Sequence, residues 1–106
     1  MNWNIRYLES VEKWLNALPT SHLKSLAKEL RLLELCGNEL RLPHSKALGS
    51  GLFELRERQF GLRAYYTYIE NCAVLILHGG DKSSQEKDIK KAKILLKNYK
   101  ETSHES

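Results

Sequence analysis

Long apolar runs are missing from this chain. The longest, Cys72 to Leu77, is strand-sized, whereas a membrane helix needs about 20 apolar residues. The N-terminal stretch MNWNIRYLES has no basic-then-apolar leader pattern, so the expected location is the cytoplasm. Cysteine is scarce as well. Cys36 and Cys72 stand in apolar surroundings with no CxxC or Cys/His spacing, which argues against a metal site or redox pair and for two small core residues. There is no GxxxxGK phosphate loop, no GxSxG elbow and no internal repeat, which removes the usual nucleotide-hydrolysing and serine-hydrolase readings. Carboxylates are scattered, and Glu54 and Glu57 would fall on opposite faces of a strand. Glycosidase-type and metal-dependent chemistry are therefore unsupported.

What remains is a chain of 106 residues with 42% hydrophobic and 28% charged side chains, a globular composition large enough for one core. Residues 1–100 are expected to form one domain, with 101–106 as a flexible tail. Charge is unevenly placed. Residues 1–40 carry five basic and five acidic groups, whereas residues 41–100 carry twelve basic and six acidic. An excess confined to the second half suits either a polyanion partner or a solvated lysine-rich helix face.

Trp3, Ile5 and Tyr7 alternate with polar residues, the period of a half-buried edge strand. Ser10 is in place to cap a helix with Val11, Trp14, Leu15 and Leu18 on one stripe, ended by Pro19. Thr20 or Ser21 caps a second helix with Leu23, Leu26, Ala27, Leu30 and Leu33 inward, stopped by Gly37. His22, on its first turn, reads as exposed. From Asn38 to Ser50 periodicity vanishes, and the segment reads as a loop carrying Arg41, His44 and Lys46. Its composition suits a phosphate grip or a solvated connector.

Three strands follow, at Phe53–Arg56, Leu62–Ile69 and Cys72–Leu77, the last apolar on both faces and therefore central. Ser83 and Glu86 have capping-box spacing and open a last helix with Ile89, Ala92, Leu96 and Tyr99 inward. The expected class is α+β: an N-terminal strand and a helical hairpin packed on a mainly antiparallel sheet, with a C-terminal helix.

Residues an even number apart share a strand face, so Glu54, Arg56 and Arg58 lie together, as do Arg63, Tyr65 and Thr67. With the turn at Arg58 to Gly61, Arg56 and Arg63 become cross-strand neighbours. Opposed like charges cost stability unless an anion or Glu54 sits between them. Arginine forks suit phosphate oxygens, and the rings of Tyr65 and Tyr66 suit stacking on unpaired bases. The other reading of the same residues is a neutralised strand face with its tyrosines packed inward. His78 either moves a proton near neutral pH or plays a structural part at the strand end. Gly79 and Gly80 turn the chain there and bring Lys82 to the mouth of the last helix.

The blocks KALGSGLFELRE, GLRAYYTY and VLILHGGDKSSQEKDIKKAKIL resemble the RelE/ParE superfamily of type II toxins, especially its phage-derived, HigB-like killer-protein branch. The resemblance covers about residues 40–97. It implies a small ribonuclease that needs no metal or cofactor, cuts mRNA on the ribosome through attack of the 2′-hydroxyl, and is silenced by an antitoxin. By position it implies that Arg56, Arg63 and Lys82 are catalytic. The residue chemistry adds His78 as a further proton-handling candidate and Lys46, Arg58, Tyr65 and Tyr66 as candidates for contacting the RNA. Several members carry a tyrosine or histidine near the last helix; Ser83 to Asp88 has neither, which leaves the proton donor unassigned. Two alternatives share the fold: a ParE-like DNA gyrase inhibitor, and a catalytically weak homologue that binds an antitoxin.

Overall fold

The computed structural model describes residues 2–104. Strand β1 (Asn4–Tyr7) leads into helices α1 (Glu9–Ala17) and α2 (Thr20–Cys36), then strands β2 (Ser45–Gly49), β3 (Leu52–Arg56), β4 (Leu62–Ile69) and β5 (Ala73–Asp81), and finally helix α3 (Gln85–His104). The strands form one sheet in the order β1-β5-β4-β3-β2. β1 runs parallel to β5, and every other pairing is antiparallel. The expected edge position of β1 is thus observed.

The apolar stripes explain the layers. Val11 of α1 and Leu26 and Leu33 of α2 are buried against Leu55, Leu62, Ala64, Tyr66, Val74 and Ile76 on one sheet face. On the other face, Ala92 and Leu96 of α3 cover Leu52, Tyr65, Leu75 and Leu77. Each fully buried large aliphatic side chain contributes about 1.5–3 kcal/mol to this three-layer arrangement. Gly37 ends α2 at φ 53° with its N–H on Leu33 O, a left-handed conformation that favours glycine. Among the described residues no helix is long and apolar enough to cross a membrane.

Several local expectations are corrected. α1 begins at Glu9 with Leu8, not Ser10, at the cap position, and α2 has Pro19 there; neither has a side-chain capping bond. The acidic groups Glu9 and Glu12 in the first turn of α1 complement the positive end of its dipole instead. Ala27 is exposed, because it lies at the rim of the α2 stripe, and His22 is half-buried with its ring stacked 3.9 Å from that of Phe60. The segment read as a loop contains β2, which pairs with β3. Cys72 is exposed in the turn before β5. At the head of α3 it is Asp81, not Ser83, that caps: its carboxylate accepts the Ser83 backbone N–H at 2.8 Å and the Ser83 hydroxyl at 2.5 Å. The helix also continues through 101–104, where a loose tail was expected; residues 105–106 lie outside the described residues.

Candidate active site

Pairing across β2, β3, β4 and β5 sets side chains in rows on the face covered by α3. One row is Lys46, Glu54, Tyr65 and His78, each the direct partner of the next. The next row toward the β3–β4 turn is Arg56, Arg63 and Gly80. The expected opposition of the two arginines is therefore present, beside a row in which Glu54 and Tyr65 are buried.

His78 reaches this face only through an irregularity. Strict alternation along β5 would place it with Val74 and Ile76, on the side of α1 and α2. Between Tyr65 and Tyr66, however, the β4–β5 register shifts so that Tyr65 pairs His78 while Tyr66 pairs Ile76. Leu77 is the extra residue, and such a bulge re-aims the side chain beside it. The consequence continues along the strand: a Cβ on Gly79 would meet Trp14 of α1, and one on Gly80 would meet Asp88 Oδ2 at 1.9 Å. Gly80 has no room for a side chain because Asp88 occupies that space.

The buried row is tied together by α3. Glu54 is fully buried; it accepts Arg56 Nε on Oε1 at 2.8 Å and Gln85 Nε2 on Oε2 at 2.8 Å. Burial alone pushes its carboxyl up, but the hydrogen bonds from Gln85 and Arg56 and the charges of Arg56 and Arg63 outweigh it, leaving the group below its ordinary value. Asp88 stands 2.8 Å through Oδ1 from His78 Nε2 and accepts the Ser84 hydroxyl on Oδ2 at 2.5 Å. Two buried atoms make no hydrogen bond among the described residues: Arg63 Nε and the Tyr65 hydroxyl. Tyr65 is pushed up first by burial, then by the charges of Glu54 and Asp88 and by the close approach of its hydroxyl to the Glu54 carboxylate.

The remaining candidates separate. Lys82 is exposed; its N–H bonds Gly61 O at 2.8 Å, and its stem lies against Gly61. That places it beside the start of β4. An open cleft of ≈ 700 Å³ at the head of α3 is lined by Lys82, Lys87 and Lys90, by the acidic Glu86, and by Ser83, Ser84 and Gln85. Lys46 is exposed on the edge strand. Arg58 is exposed in the turn after β3, so strand alternation no longer fixes its side. Tyr65 and Tyr66 are both 0% exposed and lie on opposite faces of the sheet. Neither offers a ring to a base, since α3 covers one and the helical hairpin the other. Among the described residues no group of three or more His, Cys, Asp or Glu is placed to hold a metal ion.

Sequence reasoning missed Ser84, Gln85 and Asp88. The four-residue spacing of Ser84 and Asp88 marks one helix face, but only the bulge shows that His78 meets it.

A helical hairpin on one side of this strand order and a long helix on the other define the fold of RelE-type toxins. A double arginine mutant of the Escherichia coli toxin RelE in the free state is similar to this chain with a TM-score of 0.65 and 16% identity, over 85% of this chain and 97% of that one. The toxin–antitoxin complex RelBE2 of Mycobacterium tuberculosis gives 0.60 and 20%, over 77% and 100%. The archaeal RelE–RelB complex of Pyrococcus horikoshii gives 0.59 and 20%, over 77% and 97%. An uncharacterized protein of Haemophilus influenzae is 47% identical over 51 residues, 47% of this chain and 52% of that protein. The chain thus spans about half the length of that curated relative. Residues 13–100 match the family described as Phage derived protein Gp49-like (DUF891). The chain belongs to this phage-derived Gp49-like family, and it has the fold of the RelE toxins.

Proposed function

We propose that this chain is the toxin of a type II toxin–antitoxin pair and cleaves mRNA on the ribosome, with its own side chains supplying the chemistry. The observation that carries the reading is the direct opposition of Arg56 and Arg63, with Arg63 Nε buried and unpartnered. Glu54 bonds Arg56 and feels the charge of Arg63, but the Arg63 Nε itself has no partner among the described residues. A phosphate between the two guanidinium groups removes the repulsion.

In the proposed reaction the RNA 2′-hydroxyl oxygen attacks the adjacent phosphorus. The O2′–P bond forms, the P–O5′ bond breaks, and the products are a 2′,3′-cyclic phosphate and a 5′-hydroxyl. Charge grows on the five-coordinate phosphorus, where Arg56 and Arg63 stabilise it. His78 accepts the 2′-hydroxyl proton, and the Lys82 ammonium gives one to the departing 5′ oxygen. Exposed Lys46 and the lysines of the α3 cleft follow the backbone as phosphate contacts.

An antitoxin is the proposed protein partner. Relatives of the same fold are solved as toxin–antitoxin complexes, and the basic second half of this chain offers an acidic segment a complementary surface. Primer extension on ribosome-bound mRNA tests the activity. Discrete new 5′ ends that depend on the protein are expected. Unbroken mRNA combined with loss of gyrase supercoiling would overturn this reading in favour of a gyrase inhibitor.

A further inference from the structure

Asp88 has no part in the reaction drawn above, yet it is only 8% exposed and both its oxygens are engaged. Oδ2 accepts the Ser84 hydroxyl at 2.5 Å, and Oδ1 faces His78 Nε2 at 2.8 Å. Ser84 and Asp88 are four apart at the head of α3, so a rigid helical turn sets the carboxylate's direction. The absence of a side chain at Gly80 opens the space it fills, and the Leu77 bulge brings His78 round to meet it. Three separate features of the chain converge on one imidazole–carboxylate contact.

We propose that Asp88, held by Ser84, is a positioning residue that fixes the tautomer and direction of His78. A carboxylate facing Nε2 requires the ring's proton on Nε2, so in the neutral imidazole Nδ1 carries the free lone pair. Nδ1 is then the atom that takes the 2′-hydroxyl proton, and the Asp88 carboxylate stabilises the imidazolium that results. The proton on Nδ1 passes to solvent after the cyclic phosphate departs, restoring the base. This assignment rests on the ribonuclease reading. The charged and titratable groups around the ring are Asp88 from α3, Tyr65 and Arg63 from β4, and Glu54 beyond Tyr65 on β3. Asp88 alone among them has a hydrogen-bonding contact to the ring.

The conservative variant D88N keeps the shape of the side chain and removes its charge. Its test has two arms. In the free protein, nitrogen-15 spectra of the histidine rings, with His78 assigned by its loss in H78Q, should show the Nε2–H tautomer in wild type and a shift toward Nδ1–H in D88N. In single-turnover cleavage of ribosome-bound mRNA, D88N and H78Q should each slow the reaction by about 10²–10⁴-fold, and the double variant should be no slower than H78Q alone. S84A, which keeps the carboxylate but frees one oxygen, should show a smaller loss in the same direction. An unchanged tautomer in D88N, or losses that multiply in the double variant, would overturn the positioning role. Wild-type protein that leaves mRNA intact would overturn the ribonuclease reading and the proton transfer with it, while the ring spectra still decide the tautomer.

Discussion

Gly80 and Asp88 occupy one space. A Cβ on Gly80 would stand 1.9 Å from Asp88 Oδ2 and 3.1 Å from Ser84 Oγ. Gly79 and Gly80 were expected to turn the chain, but both lie inside β5 without positive φ; Gly80 is required for the close approach of α3. Gly80→Ala should displace the first turn of α3, break the His78–Asp88 contact and cost about 1–3 kcal/mol of stability. A thermal melt beside the histidine ring spectra checks both parts. An unaltered His78 signal would show that the helix yields without losing the contact.

Glu57 holds the β3–β4 turn together. Buried at 1% exposure, it accepts Ser25 Oγ–H at 2.6 Å and the backbone N–H groups of Gln59, Phe60 and Leu62. Burial raises its carboxyl, and those hydrogen bonds lower it further than burial raises it, so the group ends below its ordinary value. Glu57→Ala should cost about 2–4 kcal/mol, because it orphans several buried donors at once. Chemical denaturation of wild type and variant measures the difference.

The same residue sets an acid dependence. Glu54 and Glu57 both have carboxyls held below their unfolded values, so each adds stability that is fully present above the unfolded value near about 4.3. That stability is lost as pH falls through the lower folded values. Melting temperatures should be level from about pH 7 to 5 and fall below about pH 4, with a shallower fall in Glu57→Gln. Equal slopes in the two proteins would remove Glu57 as a contributor.

The Tyr65 hydroxyl is buried without a hydrogen bond among the described residues. Removing a group that is already unpaired costs little, so Tyr65→Phe should leave stability unchanged or raise it by up to about 1 kcal/mol. A clear loss would mean that the hydroxyl bonds Glu54 in solution.

Much of this architecture is visible in the residue pattern, and the reasons for the rest are specific. The opposition of Arg56 and Arg63 follows from period-two alternation about a short turn, both of them local. β2 escaped because Ser45–Gly49 is an edge strand with exposed Lys46 and Ala47 and a terminal glycine; its order comes from pairing with β3. His78 was assigned no face, since one extra residue at Leu77 reverses the alternation, and a bulge leaves no trace in composition. Tyr65 and Tyr66 resemble a stacking platform by residue type alone, but α3 and the helical hairpin bury them from opposite sides. Asp88 was given no role, because only the fold brings Gly80 and His78 beside it.

The central claim is that the arginine pair binds and stabilises the reacting phosphate. Its most direct test is single-turnover cleavage of ribosome-bound mRNA by wild type and by Arg56→Ala/Arg63→Ala, after circular dichroism has shown that both fold. Wild type should generate discrete ends, and each lost guanidinium should slow cleavage by about 10²–10³-fold, leaving the double variant without detectable product. Cleavage by the double variant at the wild-type rate would contradict the account.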